Sequence, residues 1–306
     1  MTHMLANTIR ALRRFVNGGM RDLFKAPRPL EVSLPAETTA TLDNLKDRYS
    51  LDITLPSEPI FVSREYGQYL ASIEGQPATS EEANGYVPLF AEEFGLYPPL
   101  LVRNTKLKRV VLCGELFRSQ KPNPVVERFA GYVVVDSEPL SFVHRPCGGV
   151  PDGGHGVLYL SVTWGRDDED CVRKTIHHEF YHCVQRQQFG GCDDPEWAAL
   201  NSPDFDYGPG GIAANYGSDR TFWVMPGEEW GNGFLNQYST SAPEEDQAEI
   251  FAHLLTEPAR VATRLKADDI LHKKVERLRA SLERFCPDMD DGFWQRVEES
   301  RPPFGF

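Results

Sequence analysis

The sequence predicts an α+β domain, and three observations carry that prediction. Apolar, β-branched runs at 107–117, 128–137 and 156–164 have the length and residue types of strands. From residue 167 the chain turns to helical periodicity, over 167–190, 242–258, 267–285 and 287–300. Strands grouped before helices suit an α+β fold rather than an alternating one. With 306 residues, 41% hydrophobic and 25% charged, the chain has an ordinary globular balance and can bury a sizeable core.

The elements follow in order. Residues 1–30 form a basic segment, with Leu5, Ile9, Leu12 and Val16 on one helical stripe and Arg10, Arg13 and Arg14 elsewhere around it. It lacks the continuous apolar stretch of a secretory signal. Three readings stand for it: a helix packed on its own domain, a targeting or export segment, or a helix that contacts a membrane surface. Residues 31–85 read as an N-terminal extension without an assigned role. Within it, 35–51 is a helix with Leu42, Leu45 and Tyr49 at helical spacing. The polar stretch 75–85 is a loop or boundary. The main domain then covers 86–300. It opens with a helix at 86–104 that ends near Pro98 and Pro99, followed by the strands at 107–117, 128–137 and 156–164. The Gly-rich "CGGVPDGGHG" (147–156) reads as the turn before the third strand.

The next stretch, "GRDDEDCVRKTIHHEFYHCVQRQQFGG", has the marks of a complete helix. Acidic residues at 167–170 suit the positive end of the helix dipole, and Gly190–Gly191 suits the stop. Val172, Ile176, Phe180 and Val184 form one apolar stripe, and His178 and His182 lie on the opposite side. Residues 193–243 are rich in Gly, Pro, Asp, Asn and aromatics and read as loop.

Charge and cysteine usage narrow the function classes. A net charge of −13 repels phosphate backbones and disfavours nucleic acid as a partner. No apolar run reaches the roughly 18–20 residues that span a bilayer, so a transmembrane segment is not expected. The six cysteines stand at 113, 147, 171, 183, 192 and 286 and form no CxxC pair. They read as reduced thiols of a cytoplasmic protein, with a Cys183–Cys192 bridge the one alternative pairing weighed. Export without a recognisable signal peptide is the alternative localisation.

His178-Glu179-Phe180-Tyr181-His182 is an HExxH motif. Residues four apart on a helix point the same way, so two imidazoles can converge on one ion. Glu179 sits a quarter-turn round, where it reaches a metal-bound water without being a ligand. By composition the string arises by chance in on the order of one per cent of chains of this length. The alternative is a pair of histidines hydrogen-bonded in a core. His177 points to a different side. A catalytic zinc needs a third protein ligand and an open position. Glu245 and Glu249 share a face of the next strong helix. Glu245 is assigned to the metal and Glu249 to orienting a ligand histidine. Glu244 and Asp246 read as helix N-terminal charges, and His253 as a core or surface histidine. A Cys183–His182 nucleophile is disfavoured, because adjacent helix residues diverge.

The order of strand, HExxH helix, loop-rich wall and glutamate helix resembles the zincin metallopeptidases of the gluzincin type. It is similar more closely to a family of zinc-binding metallopeptidases related to the catalytic domain of anthrax lethal factor. "FLNQYSTSAPEEDQAEIFAHLL" (234–255) carries the tyrosine, the ligand glutamate and the acidic residue one turn later. "DPEWAALNSPDFDYG" (194–208) and 86–112 look like further segments of that family. The resemblance implies a small mixed sheet whose edge strand lies above the HExxH helix, and a helical C-terminal subdomain. It implies that the strand at 156–164 is that edge and pairs with an extended polypeptide substrate. It also implies that Tyr238 stabilises the oxyanion.

The expectation is a zinc endopeptidase with one catalytic Zn2+ held by His178, His182 and Glu245. Glu179 is then the general base, Tyr238 the oxyanion donor and Glu249 the orienting residue. The alternatives are a zinc-stapled, inactive interaction module and an effector or toxin protease with a single protein target.

Overall fold

Two apolar clusters, one on each side of a four-stranded sheet, organise the molecule. The computed structural model describes residues 32–66, 69–122, 126–129, 132–135, 143–190, 194, 196–208 and 232–301. The basic segment 1–30, Cys192 and residues 193, 195 and 209–231 of the loop read at 193–243 lie outside the described residues.

The chain begins with helix α1 (Ala36–Tyr49) and strands β1 (Asp52–Thr54), β2 (Ile60–Tyr66) and β3 (Tyr69–Gly75). Helices α2 (Ser80–Phe94) and α3 (Pro99–Asn104) follow. Next come β4 (Arg109–Cys113), β5 (Leu116–Pro122), β6 (Val126–Phe129), β7 (Tyr132–Val135), β8 (Val143–Pro146), β9 (Gly149–Asp152) and β10 (Val157–Ser161). The motif helix α4 (Glu169–Phe189) leads, past the loop, to α5 (Pro243–Thr256), α6 (Pro258–Leu265), α7 (Asp269–Phe285) and α8 (Asp291–Ser300). The protein is α+β with small sheets.

The first sheet has the order β1-β4-β10-β9 and is mixed. β1 and β10 both run parallel to β4, whereas β9 is antiparallel to β10. Strand alternation divides its side chains. Val110, Leu112, Leu158 and Leu160 enter the large cluster shared with the helices. Val111, Cys113, Tyr159 and Val150 face the other way, onto Ile73 and Leu116 of the second sheet. That second sheet is antiparallel, in the order β2-β3-β5-β8. The layers are therefore helices, mixed sheet, antiparallel sheet. β6 and β7 pair as a separate hairpin.

Several sequence expectations change. The strand at 156–164 is β10, and it is interior: Leu160 pairs with Leu112 on one side and Gly149 on the other. The edge beside the motif helix is β9, which comes from the stretch read as a Gly-rich turn. Its Gly and Pro content hid a strand that β10 organises from outside. The run 107–117 is two strands in different sheets. They break at Gly114, where a Cβ would lie 2.6 Å from the Pro77 carbonyl oxygen. The run 128–137 is the β6–β7 hairpin region. The polar stretch 75–85 already starts α2, because Thr79 and Glu82 form a capping box with bonds of 3.2 and 2.8 Å.

Residues 31–85 are built into the same framework as the rest. β1 pairs with β4, and β2 and β3 supply half of the second sheet. The Tyr49 hydroxyl donates to the carbonyls of Phe94 and Tyr97 at 2.8 and 2.9 Å. A boundary at residue 85 is thus crossed by pairings whose partners lie 41 to 57 residues away, beyond any local signal. Among the described residues no helix is long and apolar enough to cross a membrane. Cys113, Cys147, Cys171, Cys183 and Cys286 are free thiols.

Candidate metal centre

Helix α4 starts and stops as its sequence dictates. Asp168 caps it by accepting from the Cys171 N–H at 3.2 Å, and Gly190 ends it at φ +66°, a left-handed conformation that glycine tolerates. Val172, Ile176, Phe180 and Val184 are all buried against the mixed sheet and its helical cover. The opposite side is also covered, because α5 packs along it. His178 and Glu245 are each only 8% exposed.

The packing of α4 on α5 brings three donor atoms together. His178 Nε2 lies 3.1 Å from His182 Nε2. Glu245 Oε2 lies 3.0 Å from the first and 3.4 Å from the second. Among the described residues this is the one group of His, Cys, Asp and Glu side chains with ligating spacing. Bonds of 2.0–2.1 Å to a tetrahedral ion place the donor atoms about 3.3 Å apart, so the triangle fits zinc. The donor chemistry agrees. The 3.0 Å contact is short, yet it is misdirected for a hydrogen bond, and Glu245 Oε2 is buried without a hydrogen-bond partner.

Electrostatics favour positive charge at this point. Burial disfavours an imidazolium at His178, but Glu245 and Glu249 outweigh it and raise His178 well above the usual histidine value. His182 is raised in the same way against its burial, chiefly by Glu245. Glu245 resists burial and is held far below the carboxylate range by His182 and His178. A divalent cation satisfies the same electrostatic demand.

The outer faces of the histidines are held too. Glu249 Oε1 lies 2.8 Å from His178 Nδ1, slightly off the line of an N–H bond. Asn236 donates to Glu249 Oε2 at 2.6 Å, which fixes that carboxylate. Burial opposes ionisation of Glu249, but His178 brings its pKa down to about 2. On His182, Nδ1 faces Gln185 Oε1 at 2.7 Å. The Gln185 amide donates to the Glu244 carbonyl at 2.9 Å and to Gln247 Oε1 at 3.2 Å. Since that nitrogen must point at a carbonyl, the oxygen faces His182, and His182 Nδ1 is the donor. Both histidines therefore turn Nε2 toward Glu245.

Glu179 points from the same helix toward β9. A Cβ on Gly149 would fall 2.5 Å from Glu179 Cγ and 3.0 Å from Cδ, so only glycine leaves room for the side chain. Burial raises the Glu179 carboxyl above its usual value, with His178 and His182 pulling the other way. Tyr238 sits in a 3₁₀ turn (Tyr238–Thr240) that leads into α5, with its ring centroid 5.8 Å from that of His178. Burial and then the Glu245 charge push its hydroxyl well above 10, so it remains a hydrogen-bond donor at neutral pH.

Among the neighbouring residues, Asp246 departs from its sequence reading, whereas His177 and His253 keep theirs. Asp246 is fully buried. Its Oδ2 accepts from Tyr207 at 2.6 Å, Lys274 at 2.7 Å and Trp197 at 2.9 Å, and Lys274 is equally buried. It is an anchor of α5 on α7, not a helix-terminal charge. His177 is bonded to Glu93 at 2.7 Å and Tyr97 at 2.5 Å, and Glu93 also binds Arg173 and Arg301. His253 is a core histidine, with Nδ1 bonded to the Glu249 carbonyl at 2.7 Å. Gln185, Asn236 and Gly149 were not foreseen. Gln185 lies three residues after His182 on one helix face, which is a usable signal. For Asn236 and Gly149 the sequence offers none.

Compared with protein-family models, with curated proteins and with solved structures, the chain matches none.

Proposed function

We propose that the chain is a zinc-dependent endopeptidase with a zincin-like, gluzincin-type centre. The observation that carries the reading is the triangle of His178 Nε2, His182 Nε2 and Glu245 Oε2, 3.0–3.4 Å on a side, with Glu179 beside it.

His178, His182 and Glu245 would hold the ion. When bound, zinc acts as a Lewis acid and makes water acidic enough to be deprotonated near neutral pH. Glu179 takes the proton of the attacking water on its carboxylate and passes it to the nitrogen of the departing amine. Its raised pKa suits a group that must both accept and release a proton. The Tyr238 O–H donates toward the oxyanion that develops on the scissile carbonyl. Glu249 and Gln185 keep both imidazoles turned inward. β9 lies at the edge of the mixed sheet, next to Glu179, and offers backbone groups to an extended polypeptide.

Elemental mass spectrometry on the purified protein is expected to find about one zinc per chain. Glu179→Gln should retain that zinc and lose peptide cleavage. A variant that cuts a peptide library as fast as the wild type would refute the mechanism, and absence of zinc after reconstitution would refute the centre.

A further inference from the structure

The turn that carries Tyr238 and the carboxylate behind His178 are fastened to the same side chain. Asn236 precedes the 3₁₀ turn Tyr238–Thr240 and stands between it and α5. Its Oδ1 accepts from the Ser239 N–H at 2.9 Å and from the Ser239 hydroxyl at 3.1 Å. A backbone N–H can only donate, so the amide oxygen is the end that faces the turn. The Nδ2 end then faces Glu249 Oε2 at 2.6 Å, while Glu249 Oε1 lies 2.8 Å from His178 Nδ1. Acceptor and donor of one amide thus serve the oxyanion side and the metal side of the site.

The chain on either side of this link is firmly held. Before it, the Gly233 N–H donates to Asp268 Oδ2 at 2.8 Å, and Lys274 donates to the Gly233 carbonyl at 2.9 Å. Arg264 donates to the Phe234 carbonyl at 3.1 Å. Gly233 is at φ +93°, and a Cβ there would run into Ile270 of α7, so the backbone takes a path that glycine alone follows. Beyond the turn, the Thr240 carbonyl accepts from the Gly208 N–H at 3.0 Å. The turn between these anchors is a single 3₁₀ turn, which makes few bonds of its own, so its cap decides how firmly it is held. Ser239 is 0% exposed, so no water takes over from Asn236 Oδ1. Whatever draws His178 Nε2 into the centre orders Nδ1 against Glu249, and through Glu249 it orders Asn236 and the turn. Such a dependence is reciprocal.

Building on the peptidase reading, we propose that Asn236 is a positioning residue that couples the metal ligand His178 to the oxyanion donor Tyr238. Filling the centre fixes the Tyr238 turn, and the turn in exchange tightens the centre.

The test uses the full-length protein with and without zinc. In competition with a chromophoric chelator, Asn236→Ala should bind zinc roughly 10- to 100-fold more weakly, as expected when the outer partner of a ligand is loosened. Hydrogen exchange over residues 236–241, followed by mass spectrometry, should slow at least about tenfold when zinc binds the wild type. Saturating zinc should leave that exchange unchanged in Asn236→Ala. Glu249→Ala should also lose the zinc dependence while keeping the bonds from Asn236 to Ser239, so it carries the test if Asn236→Ala does not fold. In kcat/KM at saturating zinc, Tyr238→Phe should cost roughly 100-fold in the wild type and far less in Asn236→Ala. Zinc-dependent protection that persists in both alanine variants, or additive losses in the double-mutant cycle, would overturn the coupling and leave the peptidase reading intact. If zinc binds and no peptide is cut, the peptidase reading fails by itself, and hydrogen exchange decides the coupling. A chain that takes up no zinc overturns the centre and the coupling together.

Discussion

Replacing Gln185 by Leu should loosen the metal centre through a residue that touches no metal. Gln185 is 1% exposed, so water cannot take over its bonds. The change removes the acceptor 2.7 Å from His182 Nδ1 and the donor 2.9 Å from the Glu244 carbonyl. Gln247 Oε1 loses its 3.2 Å donor but keeps the Tyr181 hydroxyl. His182 Nδ1 is then left without an acceptor while the Glu244 carbonyl, inside α5, loses one of its donors, so the chain should lose about 1–3 kcal/mol of stability. Freed at Nδ1, the His182 ring can turn, and loss of such an orienting partner lowers metal affinity about 10- to 100-fold. Urea denaturation reads the first effect. Competition with a chromophoric zinc chelator at pH 7 reads the second. Gln185→Glu restores the acceptor for His182 but not the amide donor, so it should recover zinc affinity while remaining less stable. A folded Gln185→Leu protein that binds zinc as tightly as the wild type would refute the reasoning.

Three further perturbations follow from the same geometry. Gly149→Ala puts a Cβ 2.5 Å from Glu179 Cγ, so the base must shift. Cleavage should fall at least about tenfold with zinc content unchanged, because small displacements of a catalytic group are costly. Normal turnover in that variant would show that Glu179 is not held against β9. Asp246→Ala leaves Lys274 buried beneath α5 without its carboxylate, with the Gly233 carbonyl at 2.9 Å and the Phe234 ring at 3.8 Å. Urea titration should show a loss of about 3–5 kcal/mol, and a loss below about 1 kcal/mol would mean the pair does not anchor α5. Acid sensitivity should trace in part to Glu93. Against its burial, His177 and Arg301 bring Glu93 from 4.5 to about 2. A depressed carboxyl stabilises above its unfolded pKa, so this contribution is present above about pH 4.5 and disappears toward pH 2. It is worth about 3 kcal/mol. The difference in stability between pH 6 and pH 3 should shrink in Glu93→Gln, and identical acid profiles would count against the assignment.

The local features of the site were legible because they are local. HExxH spacing puts two imidazoles on one side of a helix by geometry alone, and the next acidic pair four residues apart does the same for Glu245 and Glu249. The caps of α4 are written in Asp168 and Gly190, and α7 and α8 lie close to their expected spans for the same reason. What failed was long-range. β9 has a turn-like composition and becomes a strand only because β10 pairs with it. Asp246 looks like its neighbours Glu244 and Glu245, yet Lys274, Trp197 and Tyr207 arrive from other segments to bury it.

By itself, then, the sequence determined the α+β composition, the motif helix and its ends, and which side chains offer ligands on a shared helix face, since each follows from periodicity and capping within some twenty residues. Only the tertiary structure decided that α5 lies against α4 closely enough to bring Glu245 Oε2 to 3.0 Å from His178 Nε2. It alone made β9 the edge beside Glu179 and brought Asn236 against Glu249. Those facts depend on which elements pack together, and packing is fixed by the whole core at once rather than by any one stretch of chain.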